Sequence, residues 1–120
     1  MFEKFASAGR YGPILSVAVD IAVDGIYAAI PAPPAGVRLL VLQACLIMPV
    51  VGSFSIKTGS TIMFPFTGVV AGQGFAWAAS DVPWIRGTVA QALNIDVAGG
   101  GKVQGIILYC WEYPSYVTVS

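Results

Sequence analysis

The sequence predicts an all-β chain: an antiparallel β-sandwich, jelly-roll-like, with an extended N-terminal arm. Three observations predict it. Apolar residues recur with period two, the spacing that sends alternate side chains to opposite faces of a strand. Turn-type residues punctuate the chain every 8 to 14 residues, the rhythm of a sandwich or barrel. The one helical candidate, Thr88-Val89-Ala90-Gln91-Ala92-Leu93, is barely more than one turn, too short for a stable isolated helix.

The elements follow in order. Over residues 13–24 the odd positions are Leu15, Val17, Val19, Ile21 and Val23, and the even ones include Ser16, Ala18, Asp20, Ala22 and Asp24, a half-buried strand. Pro31-Ala32-Pro33-Pro34-Ala35-Gly36 is a stiff extended connector, because each proline fixes φ and disfavours a helical residue before it. It divides the chain into an N-terminal arm or hairpin with its connector (1–36) and a sandwich module (37–120), within one compact domain overall. Val37–Met48 and Val103–Trp111 are apolar on both faces, as in central strands covered on both sides. Something must cover their second face. Ser53–Lys57, Ile62–Phe66 and Leu93–Val97 alternate again and read as short antiparallel strands. Asp24-Gly25, Met48-Pro49, Thr58-Gly59-Ser60, Ala71-Gly72-Gln73-Gly74, Asp81-Val82-Pro83 and Gly99-Gly100-Gly101 are turns.

Composition narrows the function. The chain has 120 residues, 57% hydrophobic and 10% charged, against roughly 25% charged in an ordinary soluble domain. Six basic and six acidic side chains cancel, leaving no electrostatic footprint for nucleic acid or anionic lipid. Mean hydropathy is +0.79, yet no stretch reaches the ~20 uninterrupted apolar residues of a spanning helix, since Asp20 and Asp24 break one run and Arg38 and Gln43 another. No membrane span is expected. Residues 1–12 carry Glu3 and Lys4 and lack the apolar core of a signal peptide, so synthesis in the cytoplasm is expected.

Catalytic groups are sparse. There is no histidine, which removes the commonest general base and zinc ligand. The six acids are Glu3, Asp20, Asp24, Asp81, Asp96 and Glu112; Asp20 and Asp24 lie about 13 Å apart along a strand, too far for an acid–base pair. Cys45 and Cys110 show no ligand spacing and read as two reduced thiols packed as small apolar side chains, or as a disulfide between neighbouring strands. Gly72-Gln73-Gly74 lacks the following helix and lysine of a phosphate loop. No enzyme, metal or cofactor is expected.

Aromatic residues remain: Phe64, Phe66, Phe75, Trp77, Trp84, Tyr109, Trp111, Tyr113 and Tyr116. Most are expected in the core, and exposed members would make a protein interface or a carbohydrate-stacking face. Their neighbours are Ala, Gly, Val and Pro, which favours protein. A domain of this size buries only about two thirds of its unfolded surface. With so few charges the exterior must be apolar, the mark of an association surface. An obligate homo-oligomer is expected, with a cyclic trimer favoured.

From Val37 onward the order of segments resembles a small β-sandwich module of tailed-bacteriophage virion proteins. The apolar strand Val37–Ile47 is followed by Phe54-Ser55-Ile56-Lys57-Thr58-Gly59-Ser60-Thr61 and by the glycine-rich Phe66-Thr67-Gly68-Val69-Val70-Ala71-Gly72-Gln73-Gly74-Phe75. Pro83-Trp84-Ile85-Arg86-Gly87-Thr88-Val89-Ala90-Gln91-Ala92-Leu93-Asn94-Ile95-Asp96 and the strand Val103–Tyr109 complete the likeness, over about 75 of 120 residues. The resemblance implies a virion component without an active site: a head-decoration or cement protein on the capsid surface, whose partners are further copies of itself and the major capsid protein. The alternative it leaves open is a receptor- or glycan-binding tip of a head or tail fibre. The sequence has no long shaft or coiled coil, which favours decoration. Contacts are expected from Phe2, Phe5 and Tyr11 in the arm and from Trp77, Trp84 and Trp111.

Overall fold

Alternating segments become strands, and the turn residues separate them. The computed structural model describes residues 11–78 and 82–113. Among these the chain forms nine strands and no helix: β1 (Leu15–Ile21), β2 (Gly25–Ile30), β3 (Arg38–Met48), β4 (Gly52–Thr58), β5 (Thr61–Val69), β6 (Gln73–Trp77), β7 (Ile85–Arg86), β8 (Leu93–Ala98) and β9 (Val103–Glu112). A front sheet has the order β1-β9-β3-β6, with the short β7 also paired to β3, and a back sheet has the order β2-β8-β4-β5. Every pairing is antiparallel. The pairs β1–β9, β2–β8, β3–β6 and β4–β5 are nested one inside the next, which is the winding of a jelly roll.

Alternation sets the core. In β4, Phe54 and Ile56 point inward and are buried, whereas Ser53, Ser55 and Lys57 point outward; β8 repeats the pattern with Leu93, Ile95 and Val97. They meet Leu39, Leu46, Met48 and Ile107 of the front sheet, and each such side chain contributes about 1.5–3 kcal/mol by leaving water. An aromatic seam closes the side where β5 faces β6. Phe54 and Phe66 stack at 4.7 Å, Phe66 and Phe75 at 4.8 Å, and Trp77 lies 4.5 Å from Phe75 and 5.5 Å from Trp84. These separations suit offset or tilted ring pairs.

Four local readings differ from the sequence expectation. The first strand stops at Ile21 rather than residue 24, because residues 22–24 carry the chain between sheets and the Asp24 carboxylate accepts the Gly100 N–H at 3.0 and 3.1 Å. Residues 25–30 form a strand of their own, so residues 15–30 supply one edge strand to each sheet. Gln73 and Gly74 belong to β6 rather than to a turn. Over 88–93 the chain turns at Val89–Ala90, with Ala90 at φ 60°, and enters β8 at Leu93.

Two glycines allow the front sheet to close around β3. A Cβ on Gly105 (φ +156°) would run into the Cys45 carbonyl oxygen, and one on Gly74 into that of Leu46. Only glycine permits this approach from both neighbouring strands.

A candidate interaction surface on the front sheet

The outward face of the front sheet has two halves. Toward the end of the sandwich where β3 begins, Leu40, Leu42 and Cys110 are 0–1% exposed, and Tyr11 and Ile14 pack against them. Alternation turns Leu40 and Leu42 outward while Leu39 and Val41 remain in the core, and the register shift between Val41 and Gln43 passes the inward face on to Ala44, Leu46 and Met48. Glu112, 4% exposed, lies in the same half. Arg86 donates to it from Nε at 3.1 Å and from Nη2 at 2.8 and 2.9 Å, and Arg38 Nε stands 3.8 Å away. This ion cluster ties β3, β7 and β9 together. Burial, with a smaller effect from the Glu112 charge, pushes the Cys110 thiol up to about 11.

Among the described residues nothing covers the other half of this face. Register places Ala18, Ile106, Cys45 and Ala76 side by side across β1, β9, β3 and β6, and all four are exposed. The next row, Asp20, Gln104, Ile47 and Gly74, is exposed as well. Ile106 and Ile47 are 49% and 42% exposed. Asp20 is the single charged residue of the two rows, 3.4 Å from the Gln104 amide. Where β3 ends, the loops after β1, β3 and β5 each present a valine: Val23, Val51 and Val70, 67%, 60% and 53% exposed. The Gly72 N–H donates to the Met48 carbonyl at 2.7 Å, which ties two of these loops together. A largely uncharged sheet face continues into an end where these valines stand beside the exposed Asp24 and Lys102.

The back face is polar along its two middle strands, β4 and β8, whereas its edge strands expose Ile26 and Ile62. Lys57 and Asp96 pair at 3.0 Å, the Asn94 side-chain amide donates to the Gly59 carbonyl at 2.8 Å, and Ser53 and Ser55 flank them. A shallow concavity of about 210 Å³ lies beside the ion pair, lined by Ser53, Ser55, Ile62, Pro65, Asp96 and Ala98 among others.

The residues expected to make contacts do not converge. Phe2 and Phe5 lie outside the described residues, as do Asp81 and Tyr116. Tyr11 is half-buried on the covered front half, bridged to Glu112. Trp77 and Trp111 are half-buried against the core, so neither offers a full ring to a partner. Trp84 is 42% exposed, but it stacks on Trp77 and donates its indole N–H to the Ala78 carbonyl at 2.7 Å. Both cysteines are free thiols, and Cys45 is exposed, which corrects the expectation that both are packed inside. The reason is that the second face of β3 is covered only over its first half. Apolarity on both faces of Val37–Met48 and Val103–Trp111 was the signal for this surface; it does not distinguish a strand covered by its own chain from one left for another molecule.

Compared with known proteins, the chain matches no family model and no curated sequence. Among the described residues no helix is long and apolar enough to cross a membrane, and no group of three or more His, Cys, Asp or Glu side chains could hold a metal ion.

Proposed function

We propose that this chain is a non-enzymatic structural protein of a tailed-bacteriophage virion, a head-decoration or cement protein that docks on the assembled major capsid lattice beside further copies of itself. The observation that carries this reading is the uncovered front half, where two rows across four strands hold one charged residue and run into the Val23, Val51 and Val70 tip. Contiguous apolar surface of this kind marks an association site. The jelly roll is a frequent capsid architecture, an argument by analogy that adds to the sequence resemblance without replacing the site.

The mechanism is mass action. A protein that binds the assembled shell and not its separated subunits stabilises the shell by its binding free energy, about 2.7 kcal/mol per site at a free concentration 100 times Kd. Shells stripped of the protein should rupture at a lower temperature, and adding it back should restore the original value. Unchanged rupture with and without saturating protein contradicts cementing. The fibre-tip alternative requires hydroxyl-binding side chains around an exposed ring. Trp84, the most exposed tryptophan described, instead sits beside Val82 and Pro83 with its N–H already used.

A further inference from the structure

We infer that the uncovered half of the front sheet is a two-fold contact with a second copy of this chain, its axis running along the strands between β9 and β3. The inference deepens the reading above by naming the surface and symmetry through which copies meet. Zero net charge removes long-range repulsion between copies. The axis follows from the register. Rotation about a line along the strands lays β9 of one copy over β3 of the other, and β1 over β6. Ile106 then falls on the smaller Cys45, Ala18 on Ala76, Ile47 on Gln104, and Asp20 on Gly74. Large side chains meet smaller or flexible ones, and the acid meets a residue without a side chain. An axis across the strands would instead lay β1 over β1 and bring the two Asp20 carboxylates toward each other, a like-charge arrangement that interfaces avoid.

The same symmetry points both tips in one direction, so the Val23, Val51 and Val70 loops of the two copies lie at one end of the pair. Four strands across and the seven residues of β1 along give a face of about 19 by 23 Å, hence roughly 900 Å² for the pair. That is close to the ~1,000 Å² threshold for specific interfaces, so association is expected to be weak and reversible. The two-fold pair and the cyclic trimer expected from composition predict different masses in solution, which the test below separates.

Cys45 provides the readout. It lies inside the contact, whereas Cys110 is buried with its thiol pushed up to about 11 and is protonated at neutral pH. The purified full chain should change from monomer to dimer in sedimentation equilibrium between micromolar and millimolar concentration. Over that range maleimide labelling of Cys45 should slow by about threefold or more. Ile106→Lys, at an exposed outward position, should abolish both effects while keeping the wild-type circular dichroism and melting temperature. Ser55→Lys on the back face should abolish neither. A monomer throughout with constant labelling, or a trimer indifferent to Ile106→Lys, overturns the inference. So does slow Cys45 labelling at every dilution that speeds up when residues 1–10 are removed, because the chain's own N-terminal segment would then cover the face. A dimer that fails to bind shells would contradict the proposed function and leave this contact intact.

Discussion

The two outer faces of the sandwich are built from the same alternation and carry different chemistry. On the back sheet the outward positions of β4 and β8 are Ser53, Ser55, Lys57, Asn94 and Asp96, and the polar groups satisfy one another through the Lys57–Asp96 pair and the Asn94 bond to Gly59. On the front sheet the outward positions of β3 and β9 are mostly apolar, buried under Tyr11 and Ile14 in one half and open in the other. A half-polar strand has finished its work once its inner face is buried. A strand apolar on both sides needs a second cover, and here the described chain supplies only part of one.

Substitutions can break this contrast, beginning with the largest effect. Gly105→Ala places a methyl group against the Cys45 carbonyl in the middle of the front sheet, and should destabilise by more than about 4 kcal/mol or prevent folding, read by urea denaturation. Ser55→Ala at an outward position of the back sheet should stay within about 0.5 kcal/mol. Arg86→Ala removes three donor contacts from the buried Glu112 carboxylate, and should cost up to about 3 kcal/mol, the lower end for breaking a buried pair, because Arg86 itself is more than half exposed. Glu112→Gln should cost less, since the guanidinium it leaves is more than half exposed.

The covered half also has a pH signature. The Cys110 thiol rises from 9.0 in the open chain to about 11 in the fold, so its contribution is complete below pH 9 and is lost as pH climbs toward 11. The loss should reach about 2 kcal/mol. It is measured as the difference in alkaline denaturation between wild type and Cys110→Ala, which lacks this limb. The back face again gives only a small effect. Lys57→Ala breaks an ion pair that keeps partial access to water and should cost no more than about 1 kcal/mol, diminishing with salt.

Much of the fold was legible in the chain. Alternation in 53–57 and 93–97 located strands and their inner faces, and apolar runs at 37–48 and 103–111 located the central strands of the front sheet. What escaped depended on distant pairing. Gln73 and Gly74 read as part of a turn with Ala71 and Gly72, yet they open β6 because Gly74 lets the strand approach β3 closely. Residues 22–24 continue the alternation, but they carry the chain from one sheet to the other, where Asp24 accepts the N–H of Gly100, distant in sequence. The surface was half legible: the need for a second cover followed from β3 and β9, but the tryptophans selected as contacts belong chiefly to the aromatic seam. The open face is made instead of Ile, Ala, Cys and Gly with Asp20 and Gln104.

The most direct measurement is the labelling rate of Cys45 in dilute free protein compared with the same chain bound to assembled shells. If the open front half is where this protein meets its neighbours, labelling is fast in dilute solution and falls sharply on the shell. Equal rates in the two states, with binding confirmed by co-sedimentation, would contradict that claim.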